Sequence, residues 1–192
     1  MRVLADESRV AELIDGLAQA VAEDMASAGG RDREPCGGWA LVGIRSRGDV
    51  LARRLAQKLG IANVGVLDIT LYRDDLSEAS SQPVVRTTEI SFPIDRVNVV
   101  LVDDVLMSGR SVRAALQSLM DLGRPRRVWL SVLVDRGGRE LPIAPDHVGL
   151  AVGSGDVAEG ELVEVKLKPT DAQDAIIVRT ARAGGVKEAG SP

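Results

Sequence analysis

Two adjacent carboxylates, Asp103 and Asp104, lie between an unbroken apolar run and a short turn rich in small hydroxyl residues. The apolar run Val99–Val102 is typical of a strand buried on both faces, and the spacing after the turn Met107–Ser111 predicts a helix from Val112. The unpaired N–H groups and partial positive charge of a helix N-terminus favour an anion. Ionised carboxylates accept hydrogen bonds from sugar hydroxyls or from the waters of a Mg²⁺ ion. The segment therefore predicts a sugar-phosphate site, with Mg²⁺ held directly or indirectly by the aspartates.

Other phosphate-binding motifs are missing from the sequence. There is no G-x-x-x-x-G-K-S/T, which excludes a P-loop NTPase. No G-x-G-x-x-G opens a helix after the first predicted strand, which argues against a dinucleotide-binding fold. The turn is short and fits one phosphate rather than a triphosphate. Because successive strand side chains point to opposite faces, both aspartates reach one ligand only if the chain has left the strand at Asp104. We expect the loop to begin there.

Length and composition indicate one globular domain. The chain has 192 residues, of which 45% are hydrophobic and only 2% aromatic, so its core must consist of Val, Leu, Ile and Ala. The net charge of −4 provides no basic field for nonspecific nucleic-acid binding, and the single Cys36 excludes an internal disulfide. No apolar run matches a membrane span and no signal-peptide pattern is visible, which predicts a cytoplasmic protein. We expect the domain to cover residues 1–180 and the polar residues 181–192 to be a disordered tail.

The elements that must position the aspartates follow from the hydrophobic periodicity. Helices are predicted from Val10 to Gly29-Gly30 with Ser8 as cap, at Asp49–Leu59 with Gly60 ending it, and from Val112 to Gly123. Strands are predicted at Trp39–Ile44, Asn63–Thr70, Asn98–Val102, Val128–Val134, Val148–Val152, Leu162–Leu167 and Ala175–Arg179. This alternation indicates an α/β fold, with an open, mainly parallel sheet flanked by helices. The polar segment Tyr72–Glu89 is long for a connection and predicts a flexible lid.

Three loops follow the carboxyl ends of predicted strands, where ligands bind in sheets of this kind. The loop Arg45–Gly48 carries two guanidiniums, which bind phosphate oxygens in bidentate fashion. The second loop contains the acidic pair and the hydroxyl turn, and the third is Asp135–Gly138. The predicted topology brings all three to one edge of the sheet.

The segment Val99–Ser111 resembles the thirteen-residue motif with which type I phosphoribosyltransferases bind phosphoribosyl pyrophosphate (PRPP). Together with Leu67–Leu76 and Leu133–Pro142, it is similar to the PyrR family, whose members regulate pyrimidine operons by attenuation and are also uracil phosphoribosyltransferases. The likeness extends from about Leu41 to Pro142.

The resemblance implies a role for each site residue. The implied catalytic residues hold the ribose hydroxyls, bind Mg²⁺ or reach the pyrophosphate from the lid: Asp103, Asp104 and Arg73. The implied PRPP-binding residues are Ser46, Arg47, Gly48, Asp103, Asp104, Val105, Leu106, Met107, Ser108, Gly109, Arg110 and Ser111. The base is implied to lie beside Val134, Asp135 and Arg136, with backbone groups reading its edge.

The predicted function is transfer of the phosphoribosyl group of PRPP to uracil, giving UMP and pyrophosphate, in a homodimer or larger assembly. Two alternatives stay open, a UMP-responsive RNA-binding regulator of pyrimidine genes and a phosphoribosyltransferase for a purine base. The first helix argues against RNA, because it is acidic where the family is basic: Glu12, Asp15, Glu23 and Asp24. Two further departures from the family pattern are Met107 in place of Tyr and Gly138 in place of His.

Overall fold

The computed structural model describes residues 1–29, 38–70, 88–153, 155–158 and 160–180. Cys36, Arg73 with most of the predicted lid, and the predicted tail at 181–192 lie outside these residues. The helices are α1 (Glu7–Gly29), α2 (Gly48–Leu59) and α3 (Arg110–Leu122). The strands are β1 (Arg2–Ala5), β2 (Trp39–Ile44), β3 (Asn63–Leu67), β4 (Asn98–Leu106), β5 (Arg127–Asp135), β6 (His147–Ala151), β7 (Glu161–Lys166) and β8 (Ala175–Thr180).

Strands β2 to β6 form a five-stranded parallel sheet in the order β3-β2-β4-β5-β6. The chain moves outward in one direction from β2 to β3 and then returns to the other side of β2 with β4, so the strand order reverses between β2 and β4. Ligands in open α/β sheets bind at the carboxyl ends of the strands beside such a reversal. The predicted α/β architecture is therefore confirmed, and the strand that carries the aspartates borders the reversal.

Apolar side chains cover β4 on both faces. Val100 and Val102 belong to a cluster with Leu51 of α2, whereas Leu101 belongs to a cluster with Leu119 of α3. A strand buried on both sides needs an apolar residue at every position, which explains the unbroken run in the sequence. Full burial of each such side chain stabilises the fold by roughly 1.5–3 kcal/mol, so β4 is a rigid support for the residues at its carboxyl end.

A second sheet, which the sequence did not predict, consists of β1, β8 and β7 in that order and is antiparallel. Val3 pairs with Ile177, and Val163 pairs with Val178. Ile176 and Val178 join the core beneath α1. The connection 167–174 between β7 and β8 reaches α2, where the Lys168 carbonyl accepts a hydrogen bond of 2.8 Å from Arg54.

Two predicted boundaries are wrong and one is confirmed. Helix α1 is capped by Asp6 instead of Ser8, because Asp6 Oδ1 accepts the backbone N–H of Arg9 at 2.9 Å. Strand β3 ends at Leu67, since the backbone N–H of Thr70 donates to the Asp68 carboxylate in a local turn at 2.9 Å. Gly60 ends α2 with a left-handed φ of 68°, as predicted.

The amino end of the parallel sheet carries aromatic residues and the histidine. Trp39 and Trp129 pack with ring centroids 4.6 Å apart. His147 is buried, and its Nε2 lies 3.0 Å from the Asp24 carboxylate. These residues therefore support the fold at the end of the sheet opposite the acidic pair. In the part of the chain that the structure describes, no helix is both long and apolar enough to cross a membrane.

Candidate active site

Asp103 and Asp104 lie within β4, which continues to Leu106. The expectation that the strand ends before Asp104 is therefore wrong. Alternate side chains of β4 pack in the cluster with α3, but this alternation shifts by one residue at the acidic pair. Val99 and Leu101 pack in that cluster before the pair, and Leu106 packs there after the pair. The backbone N–H of Asp104 donates to Oδ1 of Asp103 at 3.0 Å. This irregularity lets neighbouring carboxylates approach each other without ending the strand.

The two carboxylates are destabilised in their ionised forms. Burial, reinforced by the charge of Asp104, raises the pKa of Asp103 well above its usual range. Burial also raises the pKa of Asp104, although the Val105 N–H and the Arg47 charge act in the opposite direction. The protein alone therefore compensates this pair of charges incompletely, and a cation or hydroxyl donors would stabilise the ionised pair.

The chemistry of the pair fits Mg²⁺. This ion takes oxygen ligands and is usually bound by one or two carboxylates together with waters and substrate oxygens. The raised pKa values of Asp103 and Asp104 mark a place where positive charge is missing. These two residues would hold the ion.

The β2–α2 loop lies directly against the acidic strand. A methyl group at Gly48 would be 2.5 Å from the Val102 carbonyl oxygen and 3.2 Å from Cα of Asp103, so this close approach requires glycine. Gly48 is also the first residue of α2, and Ser46 is exposed just before it. The Arg45–Ser46 peptide bond is cis. The predicted pyrophosphate loop and the predicted ribose site are thus in contact.

Arg47 is held side-on by a carboxylate from a distant turn. Its Nε lies 2.9 Å from Oδ2 of Asp171, and its Nη2 lies 3.1 Å from Oδ1. The hydrogen bond to Asp171 is the main cause of a raised pKa for Arg47, to which Asp104 and Glu164 also contribute. The guanidinium is therefore firmly cationic and fixed in orientation next to the aspartates.

The turn before α3 is suited to an anion. Gly109 caps the helix with a left-handed φ of 89°, and the first turn consists of residues 110–113, two of them arginine. Gly109 has no side chain of its own to compete with a bound phosphate for the N–H groups of the first turn. The Ser108 hydroxyl accepts the Arg110 backbone N–H at 3.3 Å, and Arg110 pairs with Glu140 at 2.7 Å. The turn is therefore held by hydrogen bonds within the protein.

The loop after β5 braces this turn. The backbone N–H groups of Glu140 and Leu141 donate to the Ser108 carbonyl at 3.0 and 3.2 Å. Arg139 donates from Nη1 to the Met107 carbonyl at 3.0 Å. Arg139 also bonds a carboxylate at the end of β5, at 2.8 Å. This bracing role could not be predicted from the sequence, because it depends on hydrogen bonds between two loops about thirty residues apart.

The predicted base-binding residues lie at the end of β5. Val134 is fully buried, and the Arg136 backbone N–H donates to the Leu106 carbonyl at 2.9 Å. The Asp135 carbonyl accepts the Val152 N–H at 2.8 Å. Two of the backbone groups expected to read a base are therefore already bonded within the protein.

Met107 and Gly138, the two departures from the family pattern, are neighbours. A methyl group at Gly138 would lie 3.8 Å from Cγ of Met107. Met107 is 38% exposed, and Gly138 has a left-handed φ of 76°. The tyrosine that Met107 replaces and the histidine that Gly138 replaces would thus lie at the same place. This place is on the rim of the site, between the turn before α3 and the predicted base-binding residues.

The structure brings the described members of the predicted site together at one edge of the sheet, through loops that leave β2, β4 and β5. Asp171, by contrast, was missed by sequence reasoning. It lies 124 residues from Arg47 in the chain, and no local pattern connects the two.

The family described as phosphoribosyl transferase domain matches residues 4–159, which include the acidic pair and the glycine-capped turn, so the chain belongs to this family. A hypoxanthine phosphoribosyltransferase of Trypanosoma cruzi superposes with a TM-score of 0.61 at 16% identity, covering 94% of this chain and 97% of that one. A purine phosphoribosyltransferase from Pyrococcus horikoshii gives a TM-score of 0.56 at 21% identity, covering 78% and 85%. At these identities the likeness concerns the fold.

Relatives with similar sequences show to which phosphoribosyltransferase family the chain belongs. A protein of Deinococcus deserti is 53% identical over 142 residues, or 71% of this chain and 76% of that protein. Proteins of Thermus thermophilus and Acetivibrio thermocellus are 52% and 49% identical, covering 72% and 76% of this chain and 78% and 80% of theirs. All three carry the name bifunctional protein PyrR. The chain belongs to the PyrR family.

Proposed function

We propose that this protein transfers the phosphoribosyl group of PRPP to uracil, giving UMP and pyrophosphate. The observation that carries the proposal is the contact of Gly48 with Asp103, which joins the Arg47 loop to the acidic pair just ahead of the α3 turn. A sugar with an anion on each side matches this charge pattern. The resemblance to the PyrR family, whose members are also uracil phosphoribosyltransferases, supports uracil as the base.

In the proposed complex, each end of PRPP has its own anchor. The 5′-phosphate binds at the N-terminus of α3, with hydroxyls from Ser108 and Ser111. The pyrophosphate binds Arg47, because a guanidinium binds two phosphate oxygens at once. The ribose hydroxyls donate to Asp103 and Asp104, which are acceptors when ionised.

The reaction joins N1 of uracil to C1 of the ribose. The bond from C1 to the pyrophosphate oxygen breaks, its electron pair leaves with pyrophosphate, and the N1 proton passes to water. The ribose ring is cation-like in the transition state, so Asp103 and Asp104 stabilise it while Arg47 stabilises the leaving group. We assign no general base, because the N1–H of uracil becomes more acidic as the new bond forms. Asp103 and Asp104 would hold Mg²⁺, which would help to neutralise the charge of the leaving pyrophosphate.

The base side of the site lies beyond the end of β5. The Asp135 carbonyl and the N–H groups of Arg136 and Gly137 are bonded within the protein, so recognition of the uracil edge falls to the other backbone groups of Arg136–Gly138. Met107 and Gly138 border this place, and the small size of Gly138 keeps it open. In this proposal, the choice of base depends on this part of the site.

The direct test is turnover with PRPP and Mg²⁺ across uracil, hypoxanthine, guanine and adenine at equal concentrations. We expect uracil to be the preferred substrate, with UMP and pyrophosphate formed in equal amounts. A higher kcat/KM for any purine would replace the proposal with a purine phosphoribosyltransferase.

RNA binding is the second candidate function, because the relatives are named bifunctional and the family resemblance implies attenuation control. In the structure, Glu12, Asp15 and Glu23 are exposed on α1. Phosphate contacts need cations, so we propose that this helix face does not bind RNA and that catalysis is the main function. A gel-shift experiment with the chain's own pyrimidine leader RNA tests this. A shift that UMP strengthens would contradict the proposal.

A further inference from the structure

The turn between β7 and β8 holds two arginines of the β2–α2 region through two separate carboxylates. Asp171 binds Arg47 at 2.9 and 3.1 Å. Asp174, three residues later, binds Arg54 in α2, with Oδ1 3.0 Å from Nη2. Both carboxylates are largely buried, and both have lowered pKa values because of their arginine partners. One turn therefore makes two parallel Arg–Asp pairs, one at the predicted pyrophosphate loop and one outside it.

The pairing leaves part of the Arg47 guanidinium for a ligand. A guanidinium carries five N–H donors, and the side-on pair with Asp171 uses one on Nε and one on Nη2. Of the three others, one on Nη1 and one on Nη2 lie along the terminal edge of the guanidinium, where the Glu164 carboxylate is no nearer than 3.9 Å to Nη2. That edge has the spacing for bidentate binding of phosphate oxygens. The carboxylate thus sets the plane of the guanidinium without occupying all of its donors.

Asp171 is itself rigidly held. Its carboxylate accepts the Leu167 backbone N–H at 2.9 Å, and its own N–H donates to the Leu167 carbonyl at 2.9 Å. Leu167 is completely buried. The position of the carboxylate is therefore determined by the core and not by Arg47, which is what a positioning group requires.

We propose that Asp171 is a positioning residue for PRPP, fixing the Arg47 guanidinium in the orientation that binds the pyrophosphate. The inference rests on the proposed function, because it needs PRPP as the ligand. Arg side chains lose considerable rotamer freedom when they are fixed, and this loss has already occurred before PRPP binds. Without Asp171, binding of the pyrophosphate end must order Arg47 each time.

The chain supplies its own matched control for this idea. Asp171→Asn keeps the size of the side chain and removes the charge that orients Arg47. Asp174→Asn makes the same change on the same turn, where the partner is Arg54 instead. Both variants should melt at a lower temperature than wild type. A loss of ligand affinity in Asp171→Asn alone therefore cannot result from the lower stability that the two variants share.

The test measures binding of Mg²⁺–PRPP, Mg²⁺–pyrophosphate and ribose 5-phosphate by calorimetry, together with KM and kcat. For Asp171→Asn we expect a five- to twentyfold weaker affinity for PRPP and pyrophosphate, with ribose 5-phosphate binding and the KM for uracil changed less than twofold. Asp174→Asn should change all of these less than twofold. Asp171→Glu, which restores the charge, should recover part of the pyrophosphate affinity.

Three results would overturn the inference. Wild-type PRPP affinity in Asp171→Asn would show that Arg47 needs no partner, and tighter pyrophosphate binding would show that Asp171 competes with the ligand. An equal loss of ribose 5-phosphate affinity would show general loosening of the site. A wild-type protein that binds uracil but not PRPP would overturn the proposed function, and the inference with it. Wild-type binding of PRPP with an unaffected Asp171→Asn would overturn the inference alone.

Discussion

A methyl group added at Gly48 would enter the acidic strand. Its carbon would lie 2.5 Å from the Val102 carbonyl oxygen, whereas ordinary contact begins at 3.4 Å. The β2–α2 loop must therefore retreat from β4 by about 0.9 Å, because the obstacle is backbone and cannot rotate away. Arg47 precedes Gly48 in the chain, so the same displacement moves the guanidinium relative to the aspartates.

The expected losses of stability and of activity in Gly48→Ala follow from this displacement. Overpacking with a backbone shift costs roughly 1–3 kcal/mol, which for a chain of this length lowers Tm by roughly 2–12 °C. A misplacement of about 1 Å in a positioned catalytic group reduces the rate up to about 10²-fold, so kcat/KM for PRPP should fall by roughly 10- to 100-fold in Gly48→Ala.

The assay pairs steady-state kinetics with differential scanning calorimetry on Gly48→Ala and on Gly16→Ala. Gly16 lies within α1, and a methyl group there meets no atom within 4 Å. This control should gain roughly 0.5–1 kcal/mol of stability from the helix preference for alanine and should keep wild-type kinetics. Unchanged kcat/KM in Gly48→Ala would refute the reasoning, since the loop would then tolerate displacement from the acidic pair.

Three other variants address single groups of the site. Asp104→Asn should keep the fold and lower kcat by roughly 10²–10³-fold, because it removes a charge that faces the cation-like ribose; near-wild-type turnover in the standard assay would remove this residue from the mechanism. Asp103→Asn should lower activity but raise Tm at pH 7 without Mg²⁺, and the gain should shrink as the pH falls toward 4. The sign follows because the folded pKa lies above the unfolded value, so the stability contribution of the carboxyl is present at low pH and is lost as the pH rises through the folded pKa. A Tm of Asp103→Asn below that of wild type at pH 7 would contradict this prediction. Arg139→Lys should destabilise the protein by about 2 kcal/mol and weaken ribose 5-phosphate binding, because a lysine cannot reach Asp135 and the Met107 carbonyl together; unchanged calorimetric affinity would show that the phosphate turn needs no brace.

The parts of the fold that follow from local patterns could be predicted from the sequence. Helix α2 was expected over Asp49–Leu59 and extends over Gly48–Leu59, since a left-handed glycine at its end is a local requirement. Strand β4 was recognised because burial on both faces demands an unbroken apolar run. The parallel arrangement then followed from the alternation of strands and helices, and with it the edge of the sheet where the site lies.

The features that were missed depend on contacts between distant parts of the chain. Strand β1 has only four residues and forms by pairing with β8, so its own sequence carries little signal. The Arg47–Asp171 pair joins residues 124 apart. The error at Asp104 has a different origin, because strict alternation was assumed for β4 and the strand changes phase at the acidic pair instead.

The central claim is that one site holds both ends of PRPP, and comparing half-ligands on two variants tests it most directly. Calorimetric titrations would use ribose 5-phosphate, Mg²⁺–pyrophosphate and Mg²⁺–PRPP on wild type, Arg47→Ala and Ser111→Ala. The account predicts that Arg47→Ala weakens pyrophosphate binding roughly 100-fold and spares ribose 5-phosphate, that Ser111→Ala weakens ribose 5-phosphate and spares pyrophosphate, and that PRPP binds more weakly to both variants. PRPP affinity equal to wild type in both variants would contradict it.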